Sequence, residues 1–203
     1  MKKSVLPLSL AAVLFGTQAI ASTVEMTVTG TITPNACTPS LSNNGVVDYG
    51  PIHAETLDNF QLPDRTLTLS IACGGQTSIA LIATDNRSGT ASTNGDIHFG
   101  MGTYETLPIG RYSMAFQNAQ VDGKQEGALE SLDGGVNWRA SDTVLLRDST
   151  TAQEFRLGFG SSTPQPTTLL SANMRIQGSI NKDLPFTDDI ELDGSSTIEI
   201  KYL

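Results

Sequence analysis

Apolar and polar residues alternate along several separate stretches of this chain. The first such stretch covers residues 23–37, and its two faces differ sharply in chemistry. Side chains alternate between the two faces of a β-strand, so the pattern predicts a strand with one apolar and one hydroxyl-rich face. The apolar face consists of Val24, Met26, Val28, Gly30 and Ile32.

The rest of the chain repeats this period of two, interrupted by turn residues. Clear strands are predicted at 66–73, 78–84, 112–116, 170–180 and 197–203, and shorter ones at 46–50, 143–146 and 154–159. Residues 38–45 are predicted as a loop, and Asp122-Gly123 as the turn of a tight hairpin. We find no amphipathic helix, no repeat and no heptad pattern. The sequence therefore predicts an all-β sandwich.

The N-terminus has the pattern of an export signal. Lys2 and Lys3 precede a short apolar run, and Ala19-Ile20-Ala21 is a small-x-small cleavage signal. We predict cleavage before Ser22, export by the general secretory route, and three regions: a signal peptide at 1–21, an N-terminal strand at 22–33 and a sandwich domain at 34–203. Without Lys2 and Lys3, the 12 basic residues become 10 against 21 acidic ones, a formal charge of −11. Such a charge argues against nucleic acid and anionic lipid as partners.

Cys37 and Cys73 are the two cysteines of the sequence. In an exported protein two cysteines are expected to form a structural disulfide, and their spacing does not fit a Cys-x-x-Cys redox motif. Cys73 is in phase with the apolar residues of its strand, which predicts a disulfide in the core.

Candidate residues for catalysis or metal binding are few. His53 and His98 are the only histidines, and neither has a partner at metal-ligand spacing, so we predict no metal site, no cofactor and no enzymatic activity. The segment starting at Asp189 begins like a calcium loop, but Ile200 takes the place of the bidentate glutamate, which favours an acidic turn. Trp138 could stack on a sugar, although a tryptophan that anchors its own loop is the more common case.

Four features resemble the fimbrial (pilus) subunits of the bacterial chaperone–usher pathway, or the pilin-like exported proteins related to them. Gly30-x-Ile32 stands seven residues before Cys37, and Val47-Asp48-Tyr49-Gly50 is similar to the segment that follows this cysteine in pilins. The separation of Cys37 and Cys73 is that of the pilin bridge. The fourth feature is the C-terminal alternation of Ile198, Ile200 and Tyr202. The chain departs from the pilin pattern at Ile190, where pilins have a glycine.

This resemblance implies an immunoglobulin-like sandwich that lacks its last strand and has a groove along one edge. It implies that a periplasmic chaperone fills the groove by pairing with the C-terminal strand, which contains Ile198, Ile200 and Tyr202. An outer-membrane usher and the N-terminal strand of a neighbouring subunit would then complete a surface fibre that contributes to adhesion.

Two alternatives remain at this stage. The N-terminal strand could be an ordinary first strand of a complete sandwich, with the groove filled by the chain itself. The protein could also be a stand-alone exported adhesin or carbohydrate-binding module, with a site for a host or surface glycan in residues 85–165.

Overall fold

A computed structural model describes residues 26–30, 36–141 and 146–203. The chain divides into two units, Met1–Thr33 and Pro34–Leu203. In the first unit, residues 26–30 have no strand assignment, and the side chains of Met26 and Val28 are 83% and 84% exposed. The predicted signal peptide, Val24, Ile32 and most of the strand predicted at 143–146 lie outside the described residues.

The second unit is built from β-strands joined by turns and three short 3-10 helices. Every pairing between its named strands is antiparallel. The 3-10 helices are Ser42–Gly45, Ala54–Thr56 and Asp58–Phe60. The strands are β1 (Cys37–Leu41), β2 (Arg65–Thr77), β3 (Ile79–Asp85), β4 (Phe99–Gly100), β5 (Thr103–Tyr104), β6 (Leu107–Pro108), β7 (Gly110–Val121), β8 (Lys124–Gln125), β9 (Ala128–Ser131), β10 (Arg139–Ala140), β11 (Arg156–Phe159), β12 (Thr167–Ile180) and β13 (Ser196–Tyr202).

Two of the sheets pack face to face. Sheet A has the strand order β1-β2-β12-β7-β4, with β8 paired to β7, and sheet B has the order β10-β9-β11-β3-β13. β5 and β6 form a separate two-stranded sheet. Phe116 of sheet A meets Phe159 of sheet B edge to face, with ring centres 5.8 Å apart. One apolar core therefore lies between the two sheets, and the predicted all-β sandwich is confirmed.

The period-two pattern correctly identified the core face of the long strands. Leu67, Leu69 and Ile71 are buried on β2, and Met114 and Phe116 are buried on β7. β12 follows the same rule in its middle, with Leu170, Ala172, Met174 and Ile176 buried.

Two of the predicted local structures are wrong. Residues 38–41 belong to strand β1 rather than to a loop, and residues 46–50 form an extended segment with no assigned strand. A proline is tolerated in β1 because Pro39 lies on an edge strand, where its missing N–H is not needed by the neighbour. At 46–50 the alternation is present, but the Gly50 N–H donates to the Asp48 carboxylate, which turns the chain.

Asp122 holds the predicted hairpin turn and links it to β12. Asp122 and Gly123 both have positive φ, 49° and 80°, as a tight hairpin requires. The Asp122 carboxylate accepts hydrogen bonds from the side chain of Gln76 and the backbone N–H groups of Thr168 and Leu169, at 2.9, 3.0 and 2.8 Å. These donors, the Gln76 side chain first, lower the pKa of Asp122 below its usual range.

We expect Asp122→Asn to destabilise the protein in a pH-dependent way. A carboxyl group with a lowered folded-state pKa stabilises the fold above its unfolded-state pKa of about 4 and loses this effect as the pH falls. The difference in unfolding free energy between wild type and variant should be constant between pH 6 and 8 and should shrink below about pH 4. Urea unfolding at a series of pH values measures it, and a difference that grows on acidification would contradict the assignment.

Candidate functional site

Strand β13 forms an open edge of sheet B. It pairs with β3 on one side. The Leu203 N–H donates to the Ser78 C=O at 3.1 Å, and this bond shows which backbone groups of β13 face β3. Because antiparallel pairing alternates along a strand, the intervening residues direct their N–H and C=O groups away from β3. These outward residues are Ser196, Ile198, Ile200 and Tyr202.

Strand β1 forms the corresponding open edge of sheet A. The Gly74 N–H donates to the Ala36 C=O at 3.1 Å, so by the same alternation Cys37, Pro39 and Leu41 direct their backbone groups away from β2. Proline has no N–H, so this edge offers two outward N–H donors, those of Cys37 and Leu41. Among the described strands, β1 and β13 thus each leave one side without a strand partner, one in each sheet.

A cavity of about 640 Å³ separates these two edges and opens onto the core. Ser40 and Leu41 of β1 line one wall, and Ser196 and Ile198 of β13 line the other. Its apolar lining also includes core residues of sheet A, among them Leu67, Leu69, Met114, Met174 and Ile176. We call this cavity and its continuation, described next, the edge groove.

The continuation is a second cavity of about 930 Å³ between residues 47–57 and residues 184–192. Val47, Tyr49 and Leu192 line both cavities, so the two form one groove. The lining of this second cavity includes both acidic residues and apolar residues, and of the apolar ones Ile109 and Leu184 are buried. The acidic lining residues are Asp48, Glu55, Asp188, Asp189 and Glu191.

Four aliphatic residues along the groove are only partly buried. Leu41, Val47, Leu192 and Ile198 line the groove and pack against the core while each keeps part of its surface exposed. Covering apolar residues in this position with a further chain segment is favourable, because each Å² of apolar surface removed from water stabilises the complex by about 25 cal/mol. The groove is therefore a surface suited to one more strand.

Tyr49 places a polar atom within this apolar groove. Its hydroxyl is shielded from solvent and has no hydrogen-bond partner among the described residues. Burial raises the pKa of Tyr49, while the Arg65 guanidinium, 5.1 Å from the ring centre, acts in the opposite direction. The alternation in 46–50 did not indicate this arrangement, because it depends on how the segment packs rather than on its pattern.

The disulfide is confirmed, and one of its cysteines begins β1, the strand that lines one wall of the groove. Cys37 and Cys73 are bonded, with an S–S distance of 2.02 Å, and join β1 to β2. Both cysteines are half-buried rather than fully buried in the core, because β1 is an edge strand. The Cys37 N–H donates to the Tyr202 hydroxyl at 2.9 Å, which joins sheet A to sheet B.

An ion pair anchors the segment that precedes β13. The Arg87 guanidinium donates two hydrogen bonds to Asp193, at 2.7 and 2.6 Å, and these bonds lower the pKa of that carboxyl group. Next to it, a Cβ at Gly194 would lie 3.1 Å from the Tyr112 ring. Gly194 therefore allows this segment to pack closely on β7.

The other candidate residues have local roles where the structure describes them. The Trp138 indole N–H donates to the Gly135 C=O at 2.9 Å, so this side chain holds its own loop. His98 lies 2.8 Å from the guanidinium of Arg111, and His53 lines the far part of the edge groove. Within the described ranges, no group of three or more histidine, cysteine, aspartate or glutamate side chains is arranged to hold a metal ion.

Fold and groove together define the class: an all-β, disulfide-bridged sandwich with an open edge between its sheets. Residues 26–124 match the model of a family described as a protein of unknown function, DUF1120. The chain is similar to Protein GltF of Escherichia coli (strain K12), with 27% identity over an alignment of 223 positions, gaps included, that covers 88% of each chain. It is also similar to Uncharacterized protein YhcF of the same strain, with 28% identity over an alignment of 218 positions that covers 90% of this chain and 92% of that one. Among the described residues, no helix is long and apolar enough to span a membrane.

Proposed function

We propose that this protein is a structural subunit of a bacterial surface fibre and that a strand from another polypeptide completes its sandwich. The observation that carries the proposal is the edge groove, which runs between two unpaired backbone edges and exposes the core. Strand addition to an open sheet edge satisfies the backbone by hydrogen bonds and fills the groove with alternate side chains.

In this proposal the chain is exported to the periplasm, where a chaperone covers the groove and pairs with β13. An outer-membrane usher then brings subunits together at the cell surface. The N-terminal strand of the next subunit, with Val24, Met26, Val28, Gly30 and Ile32 on its apolar face, replaces the chaperone. The proposed role of the fibre is adhesion.

The chemistry of the N-terminal segment supports this choice of occupant. Met26 and Val28 are large apolar side chains that are exposed in the unit to which they belong. Burying such a side chain contributes about 1.5–3 kcal/mol. Each N–H and C=O pair of β13 that faces outward adds hydrogen bonds worth about 1 kcal/mol each.

Amide hydrogen exchange on the mature chain, co-expressed with its chaperone, tests the proposal. In multimers, the outward N–H groups of Ile198 and Ile200 should become strongly protected. Thr197 and Glu199 serve as internal controls, because their N–H groups face β3 whether or not the groove is filled.

A chain without residues 22–30 should still fold with the chaperone but should not form multimers on a gel run without denaturant. Multimers that persist after this deletion would contradict the proposal. So would a monomer in which the amides of Ile198 and Ile200 are protected by residues 22–33 of the same chain, because its sandwich would already be complete.

A further inference from the structure

The hydrogen bond between Cys37 and Tyr202 lies where an added strand would have to pair. The Cys37 N–H points away from β2, towards β13, and its acceptor is the Tyr202 hydroxyl at 2.9 Å. An inserted strand that pairs with β1 would present a backbone carbonyl to this same N–H. The side chain and the strand therefore compete for one donor.

This donor matters because β1 has few of them on its free edge. Of the three outward residues, Pro39 has no N–H, which leaves the N–H groups of Cys37 and Leu41. A strand that could not reach Cys37 would lose half of the N–H donors that β1 offers it.

Tyr202 can be moved at low cost. Its side chain is at the end of the C-terminal strand and the residue is 48% exposed, so its hydroxyl can turn to solvent and bond to water instead. A buried tyrosine would lose more on the same movement, because its hydroxyl would have to find a new partner inside the protein.

We propose that the Tyr202 hydroxyl is a placeholder: it satisfies the Cys37 N–H while the groove is empty and is displaced when a strand is inserted. This inference rests on the proposed function and assigns one residue a role in the exchange. The hydroxyl stabilises the empty groove and not the filled one, so its removal should favour the filled state.

Tyr202→Phe in the full mature chain tests the placeholder. Every chain in the experiment, with or without Tyr202→Phe, also carries Met26→Asp and Val28→Asp, so that its N-terminal strand cannot fill its own groove or that of another copy. An added peptide with the unchanged sequence of residues 22–33 serves as the strand that fills the groove. The net value of a hydrogen bond is about 1 kcal/mol, so we expect Cys37 amide exchange in the empty form to be about fivefold faster and the peptide to bind about fivefold more tightly.

Thr151→Val is the control. It removes a side-chain hydroxyl that donates to the Asp148 C=O, and both residues lie outside the two edge strands and the groove lining, so Cys37 exchange and peptide affinity should stay at their starting values. Unchanged Cys37 exchange in Tyr202→Phe, or weaker peptide binding, would overturn the placeholder role while leaving the proposed function in place. A peptide that binds neither chain would overturn the proposed function and the placeholder role with it.

Discussion

Replacing both Cys37 and Cys73 with serine is expected to lower the free energy of unfolding by about 4 kcal/mol. The bridge closes a chain segment with a sequence separation of 36 residues, and most of the effect comes from the conformational freedom that the unfolded chain regains. In the folded state the same bridge holds β1, a five-residue edge strand with a proline at its centre. Urea unfolding of the mature chain and of the double variant gives the difference.

Wild-type protein in a reducing agent is the control for this prediction. It loses the bond but keeps the cysteine side chains, so it should unfold at nearly the same urea concentration as the serine variant. A loss below about 1 kcal/mol in both samples would show that β1 stays in place without the bridge. The wall of the edge groove would then depend on other contacts.

Strands with one buried face could be predicted from sequence because burial imposes a period of two on their side chains. The alternation indicates β2, β7 and β12 in this way; it also indicates β13, whose apolar face is only half-buried, and the two cysteines indicate the bridge. The hairpin at Asp122 was equally local, since its turn requires residues that accept positive φ.

The misassigned segments depend on contacts between distant parts of the chain. Residues 38–41 form a strand because β2 supplies the pairing partner, which outweighs the unfavourable proline. Residues 46–50 have a strand-like pattern, but no strand is assigned to them, and residues 47–50 line the groove. No local signal marks residues 184–192 as a groove wall, because contacts with distant residues hold this region, among them the hydrogen bond between Tyr104 and Asp188 and the Arg87–Asp193 ion pair just beyond it.

Met26→Asp combined with Val28→Asp is expected to weaken strand insertion by at least 100-fold. Each side chain contributes about 1.5–3 kcal/mol when it moves from water into the groove, and every 1.4 kcal/mol is a factor of ten. The aspartates would also place charges against the apolar residues beneath, which adds a desolvation cost. The measurement is the affinity of a 22–33 peptide with these substitutions for chaperone-free subunit, compared with the unchanged peptide.

The opposite face of the same strand provides the matched control. Thr27→Asp with Thr29→Asp introduces the same two charges into the same segment, but on the hydroxyl-rich face that an inserted strand turns away from the core. This peptide should bind within about threefold of the unchanged one, because surface substitutions usually change the free energy by less than about 0.5 kcal/mol. Equal losses for both peptides would mean that charge alone controls binding. The alternation from Val24 to Ile32 would then have no role in filling the groove, and the N-terminal strand could not be its occupant.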